Sequence, residues 1–214
     1  MYTLLKKIVA KFPRIYFVLR SALTSLQEIR VSFAKGPYTR AYCISPYKTG
    51  TTFVSQIFSE TCLSRHEPLH HLSLKKLHVN EFLKKRSSCL NIDLDCSGFL
   101  CNSIPVIRSF DREVPILLVY RDFFEWSTSL IGYVKSIKIR TVYYPYVLSM
   151  HLNPLTGIHL DEFEYMDQRQ RSLALNNLYH YWLTCYSDGL NDGKTLIIPL
   201  NMIESNVAKI ASHL

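Results

Sequence analysis

Pro46-Tyr47-Lys48-Thr49-Gly50-Thr51-Thr52 gathers a lysine, a glycine and three threonines into seven residues. Set between a strand and a helix, such a loop presents backbone N–H groups, and the helix N-terminus adds a partial positive charge. Together they make an anion site. Gly50 admits a phosphate close to the backbone, Lys48 adds a full charge, and Thr51 and Thr52 add hydroxyl donors. The triphosphatase loop G-x-x-x-x-G-K-[ST] does not fit, because no glycine stands at Ser45 or Pro46 and the lysine precedes the glycine. That order disfavours ATP or GTP hydrolysis with magnesium held by the loop. A second cation, Arg121, closes the apolar run Val114–Tyr120.

The elements that position these groups follow from hydropathy. Gly36-Pro37 ends a basic arm. Arg40–Ser45 reads as a buried strand, and a helix starts at Thr51 with Phe53, Val54, Ile57 and Phe58 at its apolar positions. His66–His71 reads as a polar turn and Ser73–Arg86 as one helix. Ile92–Phe99 contains a strand and Ile104–Phe110 a short helix. Val114–Tyr120 is apolar enough for a strand covered on both faces. Phe123–Ile139 follows as a helix with Phe123, Leu130, Ile131, Val134 and Ile137 inward. Residues 140–163 read as an irregular excursion, Asp167–Tyr186 as a long helix and Asp188–Lys194 as a turn. Thr195–Leu200 is a last strand and Ile203–Leu214 a last helix. Alternating helices and buried strands predict an α/β fold with a central parallel sheet flanked by helices.

The order P-x-K-[ST]-G-T-T resembles the 5′-phosphosulfate loop of sulfotransferases that use 3′-phosphoadenosine-5′-phosphosulfate (PAPS). The resemblance covers roughly residues 40–214 and implies a three-layer, P-loop-like fold. It implies that Lys48 contacts the phosphosulfate and supports the leaving group, and that Thr49, Gly50, Thr51 and Thr52 wrap the 5′-phosphate. The family carries a second signature, a strand ending in Arg and a helical Ser eight residues on, which grip the 3′-phosphate. Arg121 and Ser129 match it, with Ser127 second in rank. Phe123 replaces the proline usual after the Arg-x pair. The acceptor hydroxyl must lose a proton, which calls for a general base. Several branches place a glutamate in the region of Arg65-His66-Glu67-Pro68, so Glu67 is the expected base, with His66, His70 and His71 in reserve. The late strand–helix unit is usually followed by a segment covering adenine and 3′-phosphate; the sequence here stops at Leu214, and Asn201 stands near a customary strand-end acid.

The implied function is transfer of a sulfonate to a hydroxyl of a glycan, glycolipid or small molecule. A nucleotide kinase and a catalytically impaired nucleotide-binding protein are the alternatives. Tyr143, Tyr144, Tyr146, His151 and His159 suggest an aromatic, hydrogen-bonding acceptor pocket. No metal is expected: Pro68 interrupts His66-x-x-x-His70 and no ligand cluster completes a set. Asp93 and Asp95 read as turn or strand-end acids.

Charge is unevenly spread. Residues 1–40 hold eight basic residues against one acid, Glu28, which accounts for nearly all of the chain's net +8. The body is close to neutral, so nucleic acid is not an expected partner. In the arm 1–39, Leu4, Leu5, Ile8 and Val9, then Val18, Leu19, Ala22, Leu23 and Leu26, recur at helical spacing. Lysines and arginines interrupt every apolar run, short of the ~20 residues of a spanning helix and the ~7 of a signal h-region. Two readings stand for the arm: a helix packed on the domain, or a basic amphipathic helix on an anionic membrane. The six cysteines include no C-x-x-C pair and read as reduced thiols of a cytoplasmic protein.

Overall fold

A computed structural model describes residues 13–138, 148 and 152–214 of the 214-residue chain. Five strands, β1 (Ala41–Ile44), β2 (Ser64–His66), β3 (Leu94–Ser97), β4 (Ile116–Tyr120) and β5 (Thr195–Pro199), pair in parallel in the order β2-β3-β1-β4-β5. Nine helices accompany them among the described residues: α1 (Pro13–Ser32), α2 (Thr51–Phe58), α3 (His70–Lys76), α4 (Asn80–Leu90), α5 (Ile104–Phe110), α6 (Phe123–Lys138), α7 (Asn153–Thr156), α8 (Gln168–Asp192) and α9 (Val207–His213).

Strand side chains alternate between two cores. Tyr42, Ile44, Ile116 and Leu118 face one core with α3, α4, α5, α6 and α8. Ala41, Cys43, Leu117 and Val119 face the other with α2 and α9. The layering follows from the handedness of parallel crossovers. The step from β1 to β2 runs toward one edge of the sheet and carries α2. The steps β2 to β3, β3 to β4 and β4 to β5 run the opposite way, and their helices take the opposite face. Connections therefore diverge from the neighbouring strands β1 and β4, and a crevice opens at their carboxyl ends.

Several boundaries differ from the sequence reading. The helix expected over Ser73–Arg86 is two helices, because Val79 takes an extended conformation (φ −106°, ψ 103°) and restarts the chain at α4. The turn expected at His66–His71 holds the end of β2, then Glu67 and Leu69 with positive φ (48° and 56°), then the start of α3. The turn expected at Asp188–Lys194 is mostly helix. Helix α8 runs on to Asp192 and stops only at Gly193, in the left-handed conformation that glycine tolerates best. Its other end carries a capping box between Asp167 and Gln170. Two 3-10 turns precede α9, so the last helix is shorter than expected.

In α6 the buried stripe is Trp126, Leu130 and Val134, and Trp126 was not among the residues expected inward. Tyr143, Tyr144, Tyr146 and His151 lie outside the described residues. His159 is described, beside a separate cavity with Glu162, Tyr165 and Gln170. It does not join the crevice. The six cysteines are separate thiols. No helix among the described residues is long and apolar enough to cross a membrane.

Candidate functional site

Strand β1 ends at Ile44, and the chain turns across the carboxyl edge of the sheet before α2. Ser45 ties that edge together by accepting a hydrogen bond from the Val119 backbone of β4 (2.8 Å). Thr49 is buried, and its hydroxyl donates to the Pro46 carbonyl (2.6 Å), closing the loop on itself. Lys48 and Gly50 both take positive φ, 69° and 94°. Gly50 is the N-cap of α2 and offers no side chain to it, so the first-turn amides keep their capacity for an outside acceptor. A β-carbon at Gly50 would come within 2.4 Å of Leu200 Cδ1. The left-handed conformation thus favours glycine, and a larger residue would have to displace the end of the Leu200 side chain.

Helix α6 holds the loop from the other side. Trp126 is fully buried and its indole N–H donates to the Tyr47 carbonyl (2.6 Å). Arg121 donates from Nη1 to the Lys48 carbonyl (3.0 Å). The ion pair that could have occupied Arg121 is weak: Glu125 lies at 3.7 Å with its side chain 70% exposed. Asp122 is engaged elsewhere, accepting from the Phe124 and Glu125 amides at the start of α6. The Arg121 backbone is fixed too, since its carbonyl accepts from the Trp182 indole (3.0 Å).

One cavity of about 500 Å³ collects these groups, a volume in the range of ligand pockets. Lys48, Gly50, Thr51, Thr52, His66, Glu67, Arg121 and Ser129 all line it. Of the residues expected at the site, Thr49 does not line it; its role is to shape the loop. Ser127 is buried and bonded to the Phe124 carbonyl, which leaves Ser129 as the helical serine at the cavity. Asp93 pairs with Arg40 and accepts from the Leu63 amide.

Sequence reasoning missed Tyr47, Phe53, Gln56, Tyr133 and Leu200 in the lining. Tyr133 was accessible to it. It stands one helical turn beyond Ser129 and therefore on the same face. Its ring lies 4.6 Å from Lys48 Nζ, a cation–π contact that holds the ammonium over the cavity.

No family model, curated protein or solved structure matches this chain.

Glu67 and two histidines lie beside the loop. Glu67 follows β2, and its amide donates to the Cys96 carbonyl (3.0 Å). Burial pushes its carboxyl up to about 7, buried Asp95 pushes the same way, and Lys48 opposes both. His66 and His70 lie 4.0 and 3.7 Å from its oxygens. His66 Nε2 shares a hydrogen bond with the Thr52 hydroxyl (2.9 Å), and burial lowers its pKa, so the ring is neutral near pH 7. His70 is stacked on Phe99 and bonded to the Tyr47 hydroxyl (2.8 Å). His71 does not join them: it is buried, away from the cavity lining, and held down to about 4 by burial with Arg20 and Lys75 nearby.

Beneath Glu67 sits a buried hub that the sequence did not disclose. Arg86 of α4 bonds Asp95 of β3, the Ser73 hydroxyl (2.9 Å) and the Pro68 carbonyl (2.8 Å). Asp95 also accepts from Ser97 (2.5 Å). Asp95 is therefore a buried carboxyl within β3, not a turn or strand-end acid. The bond to Pro68 fixes the peptide between the two left-handed residues, Glu67 and Leu69. Among the described residues no group of three or more His, Cys, Asp or Glu side chains could hold a metal ion.

Proposed function

We propose that the chain is a P-loop-like, PAPS-dependent sulfotransferase acting on a hydroxyl acceptor. The observation that carries this reading is convergence. Lys48, Arg121, Ser129 and Glu67 come from three distant stretches of sequence and line a single cavity at the divergence of β1 and β4. The crevice position supports a nucleotide ligand. The loop with its lysine and helix start suits one phosphate, and Arg121 with Ser129 suits a second.

PAPS supplies an activated sulfonate. In the proposed reaction the acceptor oxygen forms a bond to sulfur as the bond from sulfur to the 5′-phosphate oxygen breaks. Glu67, deprotonated, takes the acceptor's proton. Lys48 offsets the charge that develops on the departing phosphate. Tyr133 keeps Lys48 directed over the cavity, and Arg86 holds the peptide that carries Glu67.

Calorimetry with 3′-phosphoadenosine-5′-phosphate (PAP) tests this reading. Binding is expected, and Lys48→Ala and Arg121→Ala should each weaken it by roughly 10- to 100-fold, the range for a lost hydrogen bond to a charged group. No binding, or binding indifferent to both changes, would overturn it. Transfer from labelled PAPS across an acceptor panel then separates an enzyme from a protein that only binds the nucleotide.

A further inference from the structure

Helix α1 has an inner and an outer face, and the apolar residues are on the wrong one for a simple packing helix. Thr24 and Val31, two turns apart, are buried against the domain at 4% and 3% exposure. Helix α1 packs on α3 and α4, with an ion pair from Glu28 to Lys76 at 2.7 Å. From Val18 onward the other large apolar side chains point outward: Val18, Leu19, Leu23, Leu26, Ile29 and Phe33 are 42–79% exposed. Val18, Leu26, Ile29 and Phe33 recur at i, i+8, i+11 and i+15, which is one continuous stripe on a helix. Phe33 lies just beyond α1 but keeps its helical bond to the Ile29 carbonyl (3.3 Å). A stripe of this extent on a soluble domain marks a contact surface.

The charge beside it says what the contact is. Arg30 and Lys35 are exposed on or next to the helix, its one acid Glu28 is paired with Lys76, and the helices it packs against expose Lys75 and Lys84 against one exposed acid, Glu81. The preceding twelve residues add Lys6, Lys7 and Lys11 and no acid. A second copy of this chain would set this basic border against itself, at a cost in like-charge repulsion. An anionic surface instead attracts it. Arg20, Glu28 and Arg30 within α1 rule out burial across a bilayer and leave the helix lying in the interface.

We propose that the outward face of α1 docks the protein on an anionic lipid surface, with Val18, Leu26, Ile29 and Phe33 entering the headgroup boundary and Arg30 and Lys35 meeting the lipid charge. This proposal does not depend on the sulfotransferase reading. The full chain is mixed with phosphatidylcholine vesicles, with and without phosphatidylserine, and sedimented. Binding to the phosphatidylserine vesicles alone is expected, falling as salt is raised. Leu26→Asp with Phe33→Asp should reduce it at least tenfold, as should Arg30→Glu with Lys35→Glu, since each cation near such a surface is worth roughly fivefold. Both pairs of residues are exposed, so the melting temperature should hold; if the apolar pair lowers it, the charge pair decides. No sedimentation, sedimentation indifferent to the deciding pair, or equal binding to neutral vesicles would overturn the proposal. A dimer in light scattering that Leu26→Asp with Phe33→Asp dissolves would assign the face to a second copy instead.

Discussion

Glu67 meets two opposed conditions: a wall that disfavours its charge and a proposed role that requires it. Burial and Asp95 hold its carboxyl up to about 7, with Lys48 pulling the other way. As a base it works only when ionised, so the transfer rate should rise as pH passes about 7 and level above it. The sign for stability is opposite. A raised carboxyl binds its proton more tightly folded than unfolded, so its contribution is full below the unfolded value and is lost as pH rises through about 7. Glu67→Gln removes that loss. Compared with the parent, the variant should gain roughly 2–3 kcal/mol between about pH 5 and about pH 8 in urea melts. An unchanged difference would mean that this carboxyl titrates normally. At this scale, Lys48 was legible from its place in the glycine loop, whereas Arg121, Ser129 and Glu67 were expected only through the motifs of the family the sequence resembles. Arg86 was not. In sequence it is one more basic residue in a lysine-rich helix, Lys84-Lys85-Arg86, and only tertiary contact makes it 1% exposed.

The element that matters most is the passage from β1 to α2. Its shape is imposed at three points: Thr49 bonds back to Pro46, Trp126 holds Tyr47, and Gly50 leaves space for Leu200. Gly50→Ala strains the left-handed backbone and displaces the end of the Leu200 side chain. It should destabilise the fold by about 1–3 kcal/mol, from left-handed backbone strain alone, and also weaken PAP binding because Leu200 lines the same cavity. A thermal melt and a titration on the same sample check both. A variant with parental stability and affinity would show that the loop tolerates a different path. The loop itself was legible from its glycine and lysine. The break between α3 and α4 was not, because apolar periodicity continues through Leu74, Leu77, Phe82 and Leu83 while the backbone restarts at Val79. Periodicity reports which residues are buried; it is silent on a one-residue change of backbone state.

At the scale of the molecule, alternation of buried strands and helices was enough to anticipate a parallel α/β sheet. The distribution of helices between its faces needed the strand order, since each crossover is right-handed and only its direction decides the face. The outward stripe of α1 illustrates the same limit. Helical spacing identified Val18, Leu19, Leu23 and Leu26 as a set but could not say whether they turned toward α4 or away from it. The two ends of the crevice are joined by the same architecture. The chain's only two tryptophans each donate an indole N–H to a backbone carbonyl of the site, Trp126 to Tyr47 beside the lysine loop and Trp182 to Arg121 at the end of β4. The protein thus carries its own optical reporters, one at each proposed phosphate grip. Emission should shift when PAP is added to the parent, and phenylalanine at position 126 or 182 should each remove part of that signal. Stopped-flow records of the two single-tryptophan proteins would then reveal which half of the nucleotide is seized first.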